Sequence, residues 1–168
     1  MGRTMKHLRT LLVAALLLAA SFSGVQAETI SSANTAIVYP VKGTLNELLA
    51  AKEVRRYVYL RSGQLLEANP VASLPASGGL IVVAASGSKL LESLREPIGY
   101  EPSEGQTLLK SVVADGRIVL VISGADADAT LLAAYRYAEK IGIGFDLAGD
   151  AIPDARTDLA LAGFDEVG

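Results

Sequence analysis

Six apolar residues in a row, Leu80-Ile81-Val82-Val83-Ala84-Ala85, constrain this chain more than any other stretch of it. A run of this length without polar alternation reads as a strand covered on both faces. Its neighbours supply the rest of a sheet. Ala36-Ile37-Val38-Tyr39 is a short β-type run ended by Pro40. Gln106 to Val113 and Arg117 to Ser123 flank Asp115-Gly116, a dipeptide that suits a hairpin because its turn needs positive φ values. Ile143 to Leu147 form a short closing strand.

Helical patterns alternate with these strands. Thr44 caps a first helix, and Glu47 completes a capping box three residues on. Ala50, Val54, Tyr57, Val58 and the stem of Arg61 share one face, Lys52, Glu53 and Arg56 point elsewhere, and Gly63 is the stop. A short helix from Lys89 to Arg95 is ended by Pro97 and Gly99. Asp126 to Asp128 open a last helix with Leu131, Ala134, Tyr135, Ala138 and Ile141 on one face and Gly142 at its end. The segment from Asn69-Pro70 to Gly79 reads as a surface loop. The predicted order is β-α-β-α-β-β-α-β, an α/β fold with a mixed β-sheet and helices packed on it. Val54, Tyr57, Val58, Ile81, Val83, Val119, Val121, Leu131, Tyr135 and Ala138 are its expected core.

Residues 1–27 read as a signal peptide. Arg3, Lys6 and Arg9 form a positive head, Leu11 to Ala20 an apolar run of ten residues, and Val25-Gln26-Ala27 a cleavage site. The run is too short to span about 30 Å of hydrocarbon, so cleavage before Glu28 and a secreted or periplasmic product without a membrane anchor are expected. The remaining plan is a flexible N-terminus at 28–35, one α/β domain at 36–155 and a C-terminal tail at 156–168.

Of 168 residues, export removes 27 and leaves 141, with 12 basic and 18 acidic side chains and a formal charge of −6. Such a domain is a poor nucleic-acid binder, since phosphate neutralisation needs clustered Lys and Arg. Lys52, Arg55, Arg56 and Arg61 form the one basic cluster, read as the solvated face of a helix. With no cysteine, and with the single histidine, His7, inside the signal peptide, cysteine nucleophiles, thiolate zinc sites and Ser-His-Asp arrangements are excluded.

Four constellations remain. Ser86-Gly87-Ser88 and Ser123-Gly124-Ala125 follow inner strands, where free amides at a helix start can hold phosphate, but neither carries a phosphate-loop motif and an ordinary capped turn is the simpler account. Asp126 and Asp128, with Asp146, Asp150 and Asp154, could serve a hard cation, though D-x-D is common at helix starts; no metal and no cofactor is expected. Asp146 and Asp150 are the weak candidates for a glycosidase carboxylate pair. Tyr39, Tyr59, Tyr100, Tyr137, Phe145 and Phe164 could build a sugar-stacking platform, with packing the more economical reading; no carbohydrate-binding residue is assigned.

Three stretches carry a resemblance: Ala51 to Gly63 (A-K-E-V-R-R-Y-V-Y-L-R-S-G), Leu80 to Ala84, and Gly116 to Pro153 with L-L-A-A-Y-R-Y-A-E, K-I-G-I-G-F and G-D-A-I-P. Together they resemble the N-terminal, non-catalytic domain of α-glucuronidase-type glycoside hydrolases, similar in plan to the second domain of β-hexosaminidases. The likeness runs from about Ile37 to Pro153. It departs at Ala129-Thr130-Leu131, where the family has a glycine-containing helix start, and at Leu132, where it commonly has Tyr. The resemblance implies an α/β sandwich and a role in xylan or hemicellulose breakdown. The family's catalytic carboxylates lie in a barrel of about 250 residues or more, so it also implies an accessory domain, non-catalytic by itself, that partners a hydrolase catalytic domain and touches glycan at its edge. The alternatives are a stand-alone carbohydrate-binding protein and a small glycoside hydrolase using Asp146 and Asp150.

Overall fold

The computed structural model describes residues 28–168; the signal peptide expected at 1–27 lies outside the described residues. Six strands form one mixed sheet. They are β1 (Thr35–Pro40), β2 (Glu67–Val71), β3 (Gly79–Val83), β4 (Thr107–Ala114), β5 (Arg117–Gly124) and β8 (Asp165–Val167), in the order β2-β1-β3-β5-β4-β8. β2, β1, β3 and β5 run parallel, and β4 runs against both of its neighbours. A separate hairpin joins β6 (Gly144–Asp146) to β7 (Gly149–Ala151). The helices are α1 (Leu45–Ser62), α2 (Arg95–Ile98), which continues a 3₁₀ segment over Lys89–Leu94, and α3 (Ala127–Lys140).

The unalternating run is covered on both faces, as its composition requires. Ile81 and Val83 of β3, with Ile118, Leu120 and Ile122 of β5, meet α1 and α3. Leu80, Val82, Val119 and Val121 point the other way, against Leu90, Leu91, Leu94 and Ile98 of the 3₁₀ segment and α2. Each such side chain contributes about 1.5–3 kcal/mol on burial, so the two central strands anchor both layers.

Local chemistry fixes the first helix. Thr44 and Glu47 form the expected capping box, with Glu47 Oε2 accepting from Thr44 N–H at 2.8 Å and Thr44 Oγ1 accepting from Glu47 N–H at 3.2 Å. The other Glu47 oxygen accepts from Ala85 N–H at 3.0 Å, tying the helix start to the end of the strand it packs on. Gly63 closes α1 in the left-handed conformation, φ 78°, as only glycine does cheaply. The hairpin at Asp115-Gly116 has the two positive φ values its sequence predicts, 51° and 75°.

Several expectations are corrected. Residues 67–71, part of them assigned to a loop, form β2; Pro70 is compatible because the strand lies at the sheet edge, where a missing N–H costs no ladder bond. The closing strand at 143–147 does not enter the main sheet but turns back as the β6–β7 hairpin. The helix after β3 is mostly 3₁₀, and Pro97 lies within its final α-turn rather than ending it.

The segments expected to be a flexible N-terminus (28–35) and a tail (156–168) pair with one another and contribute buried residues. Ile30 N–H donates to the Leu159 carbonyl at 2.7 Å and Leu161 N–H to the Glu28 carbonyl at 3.1 Å, while Ile30, Leu159 and Leu161 are buried. The chain then runs on as β8 beside β4.

Finally, the buried face of α3 keeps Ala134, Ala138 and Ile141 as expected but centres on Ala133 and Tyr137 rather than on Leu131 and Tyr135. Ala129, Thr130, Ala133, Ala134, Tyr137 and Ala138 are its buried positions, whereas Leu131 and Tyr135 are only partly buried. Small alanines let the helix sit close to the sheet, and the bulky Tyr135 turns to the rim.

Candidate functional site

The two candidate carboxylates lie on the β6–β7 hairpin, beyond the C-terminal halves of α1 and α3. Asp150 is brought to α1: its Oδ2 accepts from Arg56 Nη2 at 2.7 Å and from the Tyr57 hydroxyl at 3.0 Å. Arg56 also reaches Glu53 at 3.3 Å, and its guanidinium stacks 4.8 Å from the Tyr57 ring centre. Around this group Tyr57, Tyr135 and Phe145 make three edge-to-face contacts, with ring centres 5.6–6.4 Å apart. Each such pair contributes about 0.5–1.5 kcal/mol beyond its buried area.

The electrostatics follow from that packing. Burial, and then the hydrogen bond to Asp150, push the Tyr57 hydroxyl up to about 12. Burial also raises Tyr135. The hydrogen bond to Asp150 raises Arg56, holding the guanidinium charged. The Arg56–Asp150 pair is partly solvated, so it adds at most about 1 kcal/mol of stability.

Asp146 is not brought to the same place. Its Oδ1 accepts from Ala148 N–H at 2.7 Å, closing its own turn. Phe145 stands opposite Asp150 and Asp146 opposite Gly149. Because successive side chains alternate faces, Asp146 and Asp150 project from opposite faces of the hairpin. A glycosidase pair must flank one bond from facing positions, and this pair does not converge.

The remaining candidates are also spread out. Asp126 caps α3, accepting from Ala129 N–H at 2.8 Å, and Asp128 accepts from Asn46 Nδ2 at 2.5 Å, joining the first turns of α1 and α3. Among the described residues no group of three or more metal-type ligands gathers.

The two glycine turns are structural. Ser86 N–H donates to Gly124 and Ser88 N–H to Ala85, so those amides are used. At Gly124 an added Cβ would lie 2.3 Å from the Ala129 carbonyl carbon, so the glycine serves close strand–helix packing. Of the aromatic set, Tyr137 is fully buried beside Phe164, and Tyr39 and Phe164 are partly buried. Tyr59, Tyr100 and Phe145 are exposed on α1, on the loop after α2 and on β6, which does not make one platform.

Arg61 departs most from expectation. It is buried rather than part of a solvated basic face, donating from Nε to the Ile141 carbonyl and from Nη1 to the Ala155 carbonyl, both at 2.7 Å. A cation at the end of α3 satisfies a carbonyl left free there. Arg56 likewise has a role that sequence spacing hides, because its partner is 94 residues away.

The outer surface of the α1–α3 pair carries exposed apolar residues at both ends: Leu45, Leu49 and Leu132 near the helix starts, and Phe145, Leu147 and Ile152 around the hairpin. No helix of the described residues is long and apolar enough to cross a membrane.

No family model matches the sequence, and no curated protein matches it. Among solved structures, a family GH115 4-O-methyl-α-glucuronidase, BtGH115A, with specificity for decorated arabinogalactans, is similar at 18% sequence identity and a TM-score of 0.49. The match covers 69% of this chain and 14% of that one, so this chain corresponds to a small part of that protein's length.

Proposed function

We propose that this chain is an exported, non-catalytic accessory domain of the α-glucuronidase N-terminal type, acting in polysaccharide breakdown by packing against a glycoside hydrolase catalytic domain. The observation that carries the non-catalytic reading is the divergence of Asp146 and Asp150. Asp150 is hydrogen-bonded by Arg56 and Tyr57, and Asp146 closes its own turn. Neither is free to donate a proton to a leaving group or to attack an anomeric carbon. The residues from Ala51 to Gly63 and from Gly116 to Pro153 support the family context, and the exposed leucines of α1 and α3 offer the apolar surface that docking to a larger domain needs.

Two measurements on the purified chain test this. Aryl glucuronides and aldouronic acids should show no turnover above buffer; turnover that disappears in Asp150→Asn or Asp146→Asn would overturn the proposal. An immobilised chain should capture an α-glucuronidase-type catalytic barrel, and Leu49→Asp with Leu132→Asp should abolish that capture while far-ultraviolet circular dichroism is unchanged. Capture that is absent, or unaffected by the two charges, counts against docking.

A further inference from the structure

On the face of the sheet away from α1 and α3, a cavity of about 250 Å³ opens at the C-terminal ends of β3 and β5. Leu91, Ile98, Leu108 and Pro102 give it apolar walls, and Ser86 and Ser123 lie at its strand end. The loop after α2 forms its outer wall. That loop is pinned by Gln106, whose Oε1 accepts from the Tyr100 hydroxyl at 2.6 Å and from Ser103 N–H at 2.8 Å, so the wall is held in place without an occupant.

Ser123 distinguishes this cavity from an ordinary packing gap. It is 1% exposed, and its hydroxyl has no hydrogen-bond partner among the described residues. Alternation along β5 puts it on the same face as Val119 and Val121, the face on which the cavity lies. Leaving a buried hydroxyl unpaired is unfavourable, and native chains seldom do so without a reason. A ligand hydroxyl in the cavity would supply the missing partner.

The lining sets the ligand's class. Leucine and isoleucine walls disfavour a molecule with polar groups all round, because each unpaired hydroxyl pressed against them would lose its water. The two charged residues of the lining, Arg95 and Glu101, are of opposite sign, so the lining carries no net charge and favours neither an acid nor an amine. Apolar cavities of roughly 150 Å³ hold a benzene ring, and about 250 Å³ therefore admits a ring with one or two small substituents. We propose that this cavity binds a compact aromatic molecule bearing one hydroxyl, of the phenol class. The ring packs on Leu91, Ile98 and Leu108, and its hydroxyl bonds Ser123 Oγ. This is independent of the accessory-domain reading, since the cavity lies on the opposite side of the sheet from the α1–α3 surface.

Amide chemical shifts of the purified chain, titrated separately with p-cresol and toluene, test it. p-Cresol should move the Ser86, Gly99 and Ser123 amides saturably and bind about fivefold more tightly than toluene, the ratio expected of one neutral hydrogen bond. Ser123→Ala should bring the two ligands to about equal affinity with toluene unchanged, and Ile98→Phe, which fills the cavity from its wall, should abolish both. No saturable shift with p-cresol, equal affinities in the unaltered chain, or a preference that survives Ser123→Ala would each overturn the proposal.

Discussion

Replacing Arg61 by methionine removes one guanidinium while keeping most of the aliphatic stem, and its cost can be worked from the contacts. The side chain is 8% exposed and donates two hydrogen bonds of 2.7 Å, to carbonyls at the end of α3 and in the segment that follows the β6–β7 hairpin. Hydrogen bonds to a charged group contribute about 1.5–3 kcal/mol each, and both carbonyls lose their donor. Removing the charge also removes its desolvation cost, which offsets part of the loss. A net destabilisation of about 3 kcal/mol follows. With a urea slope near 1.5 kcal/mol/M, the midpoint should fall by about 2 M at constant slope, and Tm by about 12 °C. Arg61→Lys should be intermediate, because a single ammonium lacks the planar fork that spans both carbonyls. Hydrogen exchange adds a local readout: the Thr157 amide, which donates to the Arg61 carbonyl at 2.9 Å, should lose protection before the amides of β5 do. A midpoint shift below about 0.5 M would refute the argument that Arg61 joins the C-terminal segment to the helical layer.

Gly124→Ala places a methyl group 2.3 Å from the backbone of Ala129, which neither strand nor helix can yield cheaply, so about 3 kcal/mol of stability should be lost in the same urea titration. Alkaline pH tests the aromatic cluster. The Tyr57 hydroxyl is raised from its ordinary value near 10 to about 12, so the folded chain holds that proton more tightly than the unfolded chain does. The stability this gives is complete below pH 10 and declines as pH rises toward 12, by up to about 2–3 kcal/mol. Tyr57→Phe should flatten that decline in urea midpoints measured across the range, and an unchanged slope would contradict it.

The parts legible in the sequence were those governed by neighbours along the chain. Thr44 and Glu47 are three residues apart, and Asp115-Gly116 carries its own backbone preference, so both motifs could be read locally. What escaped depends on distance. Asp150 and Tyr57 are 93 residues apart, and Arg61 finds its carbonyls 80 and 94 residues on. No periodicity reports such pairings, so the sequence leaves the Arg61 guanidinium in a solvated basic cluster and Asp150 among the weak carboxylate candidates. β2 was hidden by Pro70, whose usual meaning is a break, because edge position is a property of the sheet rather than of the segment. The C-terminal packing did leave a trace: Leu159 and Leu161 alternate with polar or small residues, a two-residue period in a stretch otherwise rich in Asp, Gly and Ala. Within α3, the sequence pattern places Ala134, Ala138 and Ile141 on the buried face correctly but takes Leu131 and Tyr135 for its large residues, whereas the packed helix buries Tyr137 and Ala133 instead. The cavity beside Ser123 had no local signature, since its walls come from a 3₁₀ segment, a short helix, a loop and two strands.

The two outermost strands bear on how this molecule meets other chains. β2 has five residues, with Glu67 at its start and a proline near its end, and β8 has three, of which Asp165 and Glu166 are ion-paired to Lys110 and Lys140. Short length, imino acids and fixed charge are the means by which a sheet border resists recruiting a foreign ribbon. Both flanks are therefore closed to lateral growth, which protects the molecule from fibrillar stacking.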